Sequence, residues 1–124
     1  VLFNDQSLVS GDSNAGNWGR RHNGDLVLFD WERFGTGSPA IDLAPLIKGM
    51  GTKQEFIDLA ERYSRLSHQY DVNLLAREIV IAKAWIVTEV IMLLSERQKT
   101  TLPLYRDWYR KHLPDWLDNI ADML

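Results

Sequence analysis

The chain has no cysteine, so neither a disulfide framework nor a thiolate zinc site is open to it. Its three histidines, His22, His68 and His112, are scattered without ligand spacing, and no function is assigned to them. Positive charge is not in excess: 14 Lys and Arg stand against 17 Asp and Glu, giving a net charge of −3 and a pI near 5.5. That balance argues against a nucleic-acid or anionic-membrane partner, since both attract basic patches. No apolar stretch reaches the ~18 uninterrupted residues of a membrane helix, because Glu78, Lys83 and Glu89 break the longest one. With no signal peptide visible, a cytoplasmic protein is the simplest expectation. Low-complexity tracts, internal repeats and interdomain linkers are also missing, which points to a single unit over residues 1–124.

What is present begins with enough apolar material for a core, 45% of 124 residues. The polar residues that look chemically committed concentrate in Ser10 to Leu43, SGDSNAGNWGRRHNGDLVLFDWERFGTGSPAIDL. Asp12 and Asn17 lie on a glycine-containing loop, Asp30 follows an apolar run, and Asp42 opens a helix after a second glycine-rich turn. An acid, an amide five residues on, and another acid where a strand ends suit phosphoryl transfer. One carboxylate takes an acceptor hydroxyl's proton, while the amide oxygen and the other carboxylate hold Mg²⁺.

Three short segments in one order make this stretch specific. They are Ser10-Gly11-Asp12 with Asn17, then Phe29-Asp30-Trp31-Glu32, then Gly37-Ser38-Pro39-Ala40-Ile41-Asp42-Leu43-Ala44. Together they resemble the catalytic core of the aminoglycoside phosphotransferase and choline kinase-like family. Its members usually read H-G-D-x-x-x-x-N, then I-D-W-E or I-D-F-E, then G-x-P-x-x-D-L-A. Ser10 stands where the family usually has a histidine that supports the loop. The resemblance implies the C-terminal lobe of a protein-kinase-like fold, mainly α with a small β-hairpin. Asp12 would be the catalytic base, Asn17 and Asp30 the Mg²⁺ ligands, and Asp42 the residue whose oxygens hold the loop's backbone. The phosphoryl donor would be ATP or GTP, and the acceptor a hydroxyl of an aminoglycoside, choline or similar amino alcohol. Related enzymes hold the nucleotide against an N-terminal lobe, which has no counterpart in the nine residues before Ser10. The chain, starting at Val1, is therefore read as the C-terminal part of a longer kinase-like protein, incompetent by itself to hold ATP well.

Competing readings of the same residues are weaker. As a calcium loop opening at Asp12, the segment has Gly16 and Asn17 at the fifth and sixth positions and Asn23 where a bidentate glutamate belongs. An Asx-rich turn bonded to its own backbone explains Asp12 and Asn17 alone, but not Asp30 and the Pro39–Ala44 segment with them. Asp42 also suits the first turn of a helix in any protein. A catalytically inactive kinase-like module, binding a ligand or partner, is the alternative function, motivated by Ser10. Trp31 follows the metal aspartate and is a candidate for a substrate pocket; Trp85, Trp108 and Trp116 read as core. Glu32 and Glu89 could meet a cationic substrate, although solvated or structurally paired glutamates are commoner.

The remaining elements follow from periodicity and capping chemistry. Ser7 to Val9 is expected as a strand, and Trp18–Arg21 with Leu26–Phe29 as a hairpin turning through His22-Asn23-Gly24-Asp25. Phe34 to Pro39 is expected as loop, with Ser38 capping a helix and Pro39 in its first position. These front elements fill residues 7–44, and residues 45–124 form a helical body. Thr52-Lys53-Gln54-Glu55 is a capping box, and Phe56, Leu59, Ala60, Tyr63 and Leu66 form one helical face. Asn73 is expected to cap a longer helix with an apolar face from Leu74 to Leu94. Thr100 to Pro103 is expected as a break, followed by a helix through Tyr105 and Trp108 that Pro114 separates from a last helix at Asp115–Leu124.

Overall fold

The computed structural model describes residues 1–4, 7–96 and 102–124, of which Leu102 is described by its backbone alone. The chain is mainly helical, with two small antiparallel sheets at the front. Strand β1 (Ser7–Val9) pairs with β4 (Gly35–Gly37), and β2 (Trp18–Arg20) pairs with β3 (Leu26–Leu28). In the first sheet Leu8 faces Thr36, so the segment expected as loop between Phe34 and Pro39 contains a strand. Two glycines in three residues conceal it, because glycine lowers strand propensity. The second sheet is the expected hairpin, each strand one residue shorter at its C-terminal end, with Gly19 opposite Val27. Its turn closes through Gly24 N–H to Arg21 O at 2.9 Å, and Gly24 alone carries the positive φ, at 95°.

Among the described residues four α-helices follow: α1 (Ala40–Leu43), α2 (Lys53–Ser67), α3 (Val72–Glu96) and α4 (Leu102–Ile120). Ser38 sits just ahead of α1, and its Oγ accepts from Ala40 N–H at 3.2 Å, while Pro39 has helical backbone angles. In α2 the capping box forms in both directions, Thr52 N–H to Glu55 Oε2 at 2.9 Å and Glu55 N–H to Thr52 Oγ1 at 3.3 Å. Phe56 and Ala60 are fully buried on its inner face, but Leu66 is 84% exposed, beyond the reach of the core.

Helix α3 is capped by Asp71, not Asn73: Asp71 Oδ1 accepts from Leu74 N–H at 2.9 Å, and its carbonyl from Leu75 N–H. An aspartate two residues earlier offers the same capping acceptor with full charge. The core face of α3 carries Leu75, Ala76, Ile79, Val80, Ala82 and Val87, flanked by α1, α2 and α4. Leu74, Trp85 and Leu93, expected on it, are exposed instead.

Helix α4 runs unbroken through Pro114. Tyr109, Leu113, Trp116 and Ile120 recur at helical spacing against the core, and Trp116 Nε1–H donates to Gly51 O at 2.9 Å. This anchoring on both sides offsets the ~3 kcal/mol that an interior proline costs a helix. Thr100 and Thr101 of the expected break lie outside the described residues, whereas Leu102 and Pro103 belong to the first turn of α4. There Pro103 lacks an N–H that would have had no partner in the helix anyway. Among the described residues no helix is long and apolar enough to cross a membrane.

Candidate functional site

The loop between β1 and β2 is built on Asp42. This carboxylate, on α1, accepts from Ser10 N–H at 2.6 Å, Ser10 Oγ–H at 2.8 Å and Gly11 N–H at 3.0 Å. Its backbone carbonyl accepts from Ser13 Oγ–H at 2.5 Å. Four bonds on one residue bring residues 10–13 against the start of a helix about thirty positions away. Ser10 and Ser13 are both buried by this arrangement, so their polar atoms are satisfied and not merely covered. Gly11 must be glycine: its φ is +81°, and a Cβ there would sit 2.5 Å from Arg33 O.

Asp12 emerges from this anchored base half-buried, and Asn17 closes back on it. Asn17 Nδ2–H donates to Asp12 O at 2.9 Å, leaving Asn17 Oδ1 without a partner among the described residues. The Asx turn weighed above is made by Asn14: its Oδ1 accepts from Gly16 N–H at 2.8 Å, and its Nδ2–H donates to Asp12 Oδ1 at 2.6 Å. Asn17 O in turn accepts from Phe29 N–H at 2.7 Å, which brings the end of β3 beside the loop. Asp30 is the next residue. It is exposed, with φ at +61°, a left-handed conformation uncommon outside glycine and asparagine. Such strain persists only where the surroundings determine it, and Trp31 supplies one determinant, its Nε1–H donating to Leu28 O at 2.7 Å.

The sequence-selected residues thus divide by contact. Ser10 and Asp42 bond directly, as do Asn17 and Asp12, while Asp30 reaches the group through the Asn17–Phe29 backbone bond. Glu89, a candidate for a cationic partner, is instead paired with Arg33: Nη1 to Oε2 is 3.3 Å and Nη2 to Oε1 is 3.4 Å. That bidentate bond is the main reason the Arg33 guanidinium is held above its ordinary pKa. Glu32 is exposed, as is Trp31, whose ring lies 5.8 Å from that of Phe34. Trp116 is core, but Trp85 stacks edge-on against Phe3 near the surface, and Trp108 is exposed on α4.

Sequence reasoning missed two buried polar groups beneath the site. Ser38 Oγ–H donates to Glu78 Oε2 at 2.5 Å, tying α3 to the turn that leads into α1. Lys83 Nζ donates to Ala44 O at 3.2 Å and Ile47 O at 2.6 Å, adding to the Ile47 N–H bond on Ala44 O and supplying a donor to Ile47 O just past α1. Burial pushes the Lys83 pKa down. The available signal was spacing: Glu78 and Lys83 sit among Leu75, Ile79 and Ala82, where a solvated charge has no room.

Among the described residues no three His, Cys, Asp or Glu side chains converge as a metal cage. The oxygen donors of Asn17 and Asp30 nevertheless fit Mg²⁺, which binds through one or two protein oxygens and completes its shell with water and phosphate. The chain matches no known protein-family model, no curated protein and no solved structure.

Proposed function

We propose that this chain carries the catalytic and acceptor-binding part of an ATP-dependent phosphotransferase acting on a hydroxyl of a small molecule. The supporting observation is the hydrogen-bonded series Asp12–Asn17–Phe29, which gathers a half-buried carboxylate, an amide oxygen and the exposed Asp30 at one loop edge. In this reading the fold is the C-terminal lobe of a kinase-like protein. Asp12 accepts the proton of the acceptor hydroxyl and orients its oxygen for attack. Asn17 Oδ1 and Asp30 would hold Mg²⁺, which when bound neutralises charge on the nucleotide's phosphates. Asn17 has a second task through its Nδ2–H, fixing the Asp12 backbone so that the base does not drift. Asp42 holds the whole loop from beneath through Ser10 and Gly11. Catalysis of this kind is mostly positioning and charge neutralisation, without a covalent intermediate.

The test is nucleotide turnover with Mg²⁺ by the full-length protein that carries this chain, across a panel of small alcohols and amino alcohols, with Asp12→Asn alongside. Loss of a general base costs about 10²- to 10⁴-fold in turnover. The variant should show that loss while nucleotide affinity stays within about 3-fold, since Asp12 holds no phosphate. Equal turnover in the two proteins would remove Asp12 from the mechanism.

A further inference from the structure

The loop that carries Asp12 is held from two sides. Asp42 grips it through the Gly11 N–H, and the backbone of Arg33 lies directly on Gly11, where a Cβ would meet Arg33 O at 2.5 Å and Arg33 Cβ at 2.6 Å. The Arg33 side chain then leaves the front and forms its bidentate pair with Glu89, more than halfway along α3. One helical turn before Glu89 is Trp85. Trp85, Phe3, Arg33, Thr36 and Gly11 line a cleft of about 210 Å³ between α3 and the loop. The pair therefore connects the residue seated on Gly11 with the helix that contributes Trp85 to the cleft's lining. Helix α3 is itself fixed by its buried face, so it can serve as the rigid end of the connection.

We propose that Arg33 and Glu89 form a positioning strut that holds the Gly11–Asp12 loop at a set distance from α3 and so fixes the width of the cleft beside Asp12. This rests on the phosphotransferase reading only for its catalytic consequence; the strut itself is a statement about the loop. The pair is partly exposed, with side-chain exposures of 47% and 36%, so its coupling belongs to the range of surface ion pairs and not to buried ones. Asp12 and Glu32 also act electrostatically on Arg33, more weakly than Glu89.

The experiment is amide hydrogen exchange at Ser10 and Gly11, whose N–H groups report directly on the loop, in Arg33→Ala, Glu89→Ala and the double variant. A surface bidentate pair predicts about 2- to 5-fold faster exchange at both amides in each single variant. The double variant should be no faster than either single, and the amides of α2 should keep their protection. Unchanged exchange in both singles, additive effects in the double, or a uniform rise that includes α2 would each overturn the strut. Turnover supplies the second arm: kcat should fall about 3- to 10-fold in each single variant with KM changed less than 2-fold, because misplacing a base costs the chemical step. Turnover is read in the full-length protein that carries this chain; its absence there, without any substitution, would count against the phosphotransferase reading, while exchange would still decide the strut.

Discussion

The front of the molecule, residues 7–44, and the helical body behind it are stabilised by different means. The body packs Phe56, Ala60, Leu75, Ile79, Val80 and Ile120 to near-zero exposure, and its order follows from apolar burial. The front buries few large side chains, and Leu8, Leu26, Phe29, Trp31 and Phe34 are all exposed. What orders it is a small number of directed polar contacts: Asp42 under the loop, Asn17 across it, Ser38 to Glu78, and Arg33 to Glu89. Burial is non-directional and tolerant of detail, whereas hydrogen bonds fix atoms to within tenths of an ångström. A molecule divided this way has a body that stays put and a front whose geometry is set, residue by residue, by polar atoms.

The largest expected break in this contrast comes from Asp42→Ala. It strips the acceptor from Ser10 N–H, Ser10 Oγ–H and Gly11 N–H together. Hydrogen bonds to a charged partner are worth about 1.5 to 3 kcal/mol each and do not add fully, so the loss should be about 2 to 4 kcal/mol. Urea unfolding measures the total. Hydrogen exchange should place most of it at residues 10–17, and loosening that instead begins in α2 would erase the distinction between the two regions.

A smaller effect sharpens the contrast from the body's side. Lys83 is the body's own buried charge, and burial lowers its pKa from the ordinary 10.5. Between that lowered value and 10.5 the unfolded chain binds the proton that the folded chain has released. Stability attributable to Lys83 therefore rises with pH across that window. Tyr63 and Tyr109 act oppositely, because burial raises both pKa values. Above about pH 10 the unfolded tyrosines ionise first and stability falls. Subtracting the stability–pH curve of Lys83→Met from that of the unaltered protein isolates the first contribution. The difference should grow toward alkaline pH, and a flat difference would mean that Lys83 is not desolvated. In that variant Ile47 O loses its donor, while Ala44 O keeps the Ile47 N–H at 3.3 Å, so the change at pH 7 should be about 2 kcal/mol.

The same division explains what was legible in the sequence. Helix α2 and its capping box could be read because a 3.6-residue period and a Thr-x-x-Glu signature are local. The β2–β3 hairpin could be read from its Asn-Gly turn, but β4 could not, since its pairing with β1 joins segments about thirty residues apart through Gly35 and Gly37. Pro114 and Asn73 misled for a common reason: a local preference was outweighed, in one case by the packing of Trp116 and Ile120, in the other by the better-placed Asp71. At the candidate site the residue types and order could be read as motifs. The Arg33–Glu89 pair could not, because 56 residues separate its partners and neither belongs to a pattern. The partners of Glu78 and Lys83 could not be read, because periodicity marks a buried position without naming the partner that makes a charge tolerable there.

The most direct test of the central proposal is a paramagnetic one. Mn²⁺ replaces Mg²⁺ at oxygen-donor sites and broadens nuclear resonances close to it, so ATP with Mn²⁺ can be titrated into the full-length protein, isotope-labelled over this chain. The account predicts selective broadening of the Asn17 side-chain amide and the Asp30 backbone amide, together with neighbouring loop signals, and its loss in Asp30→Asn. Broadening centred elsewhere, or broadening that survives unchanged in Asp30→Asn, would contradict the assignment of these residues as the metal-holding edge of a phosphoryl-transfer site.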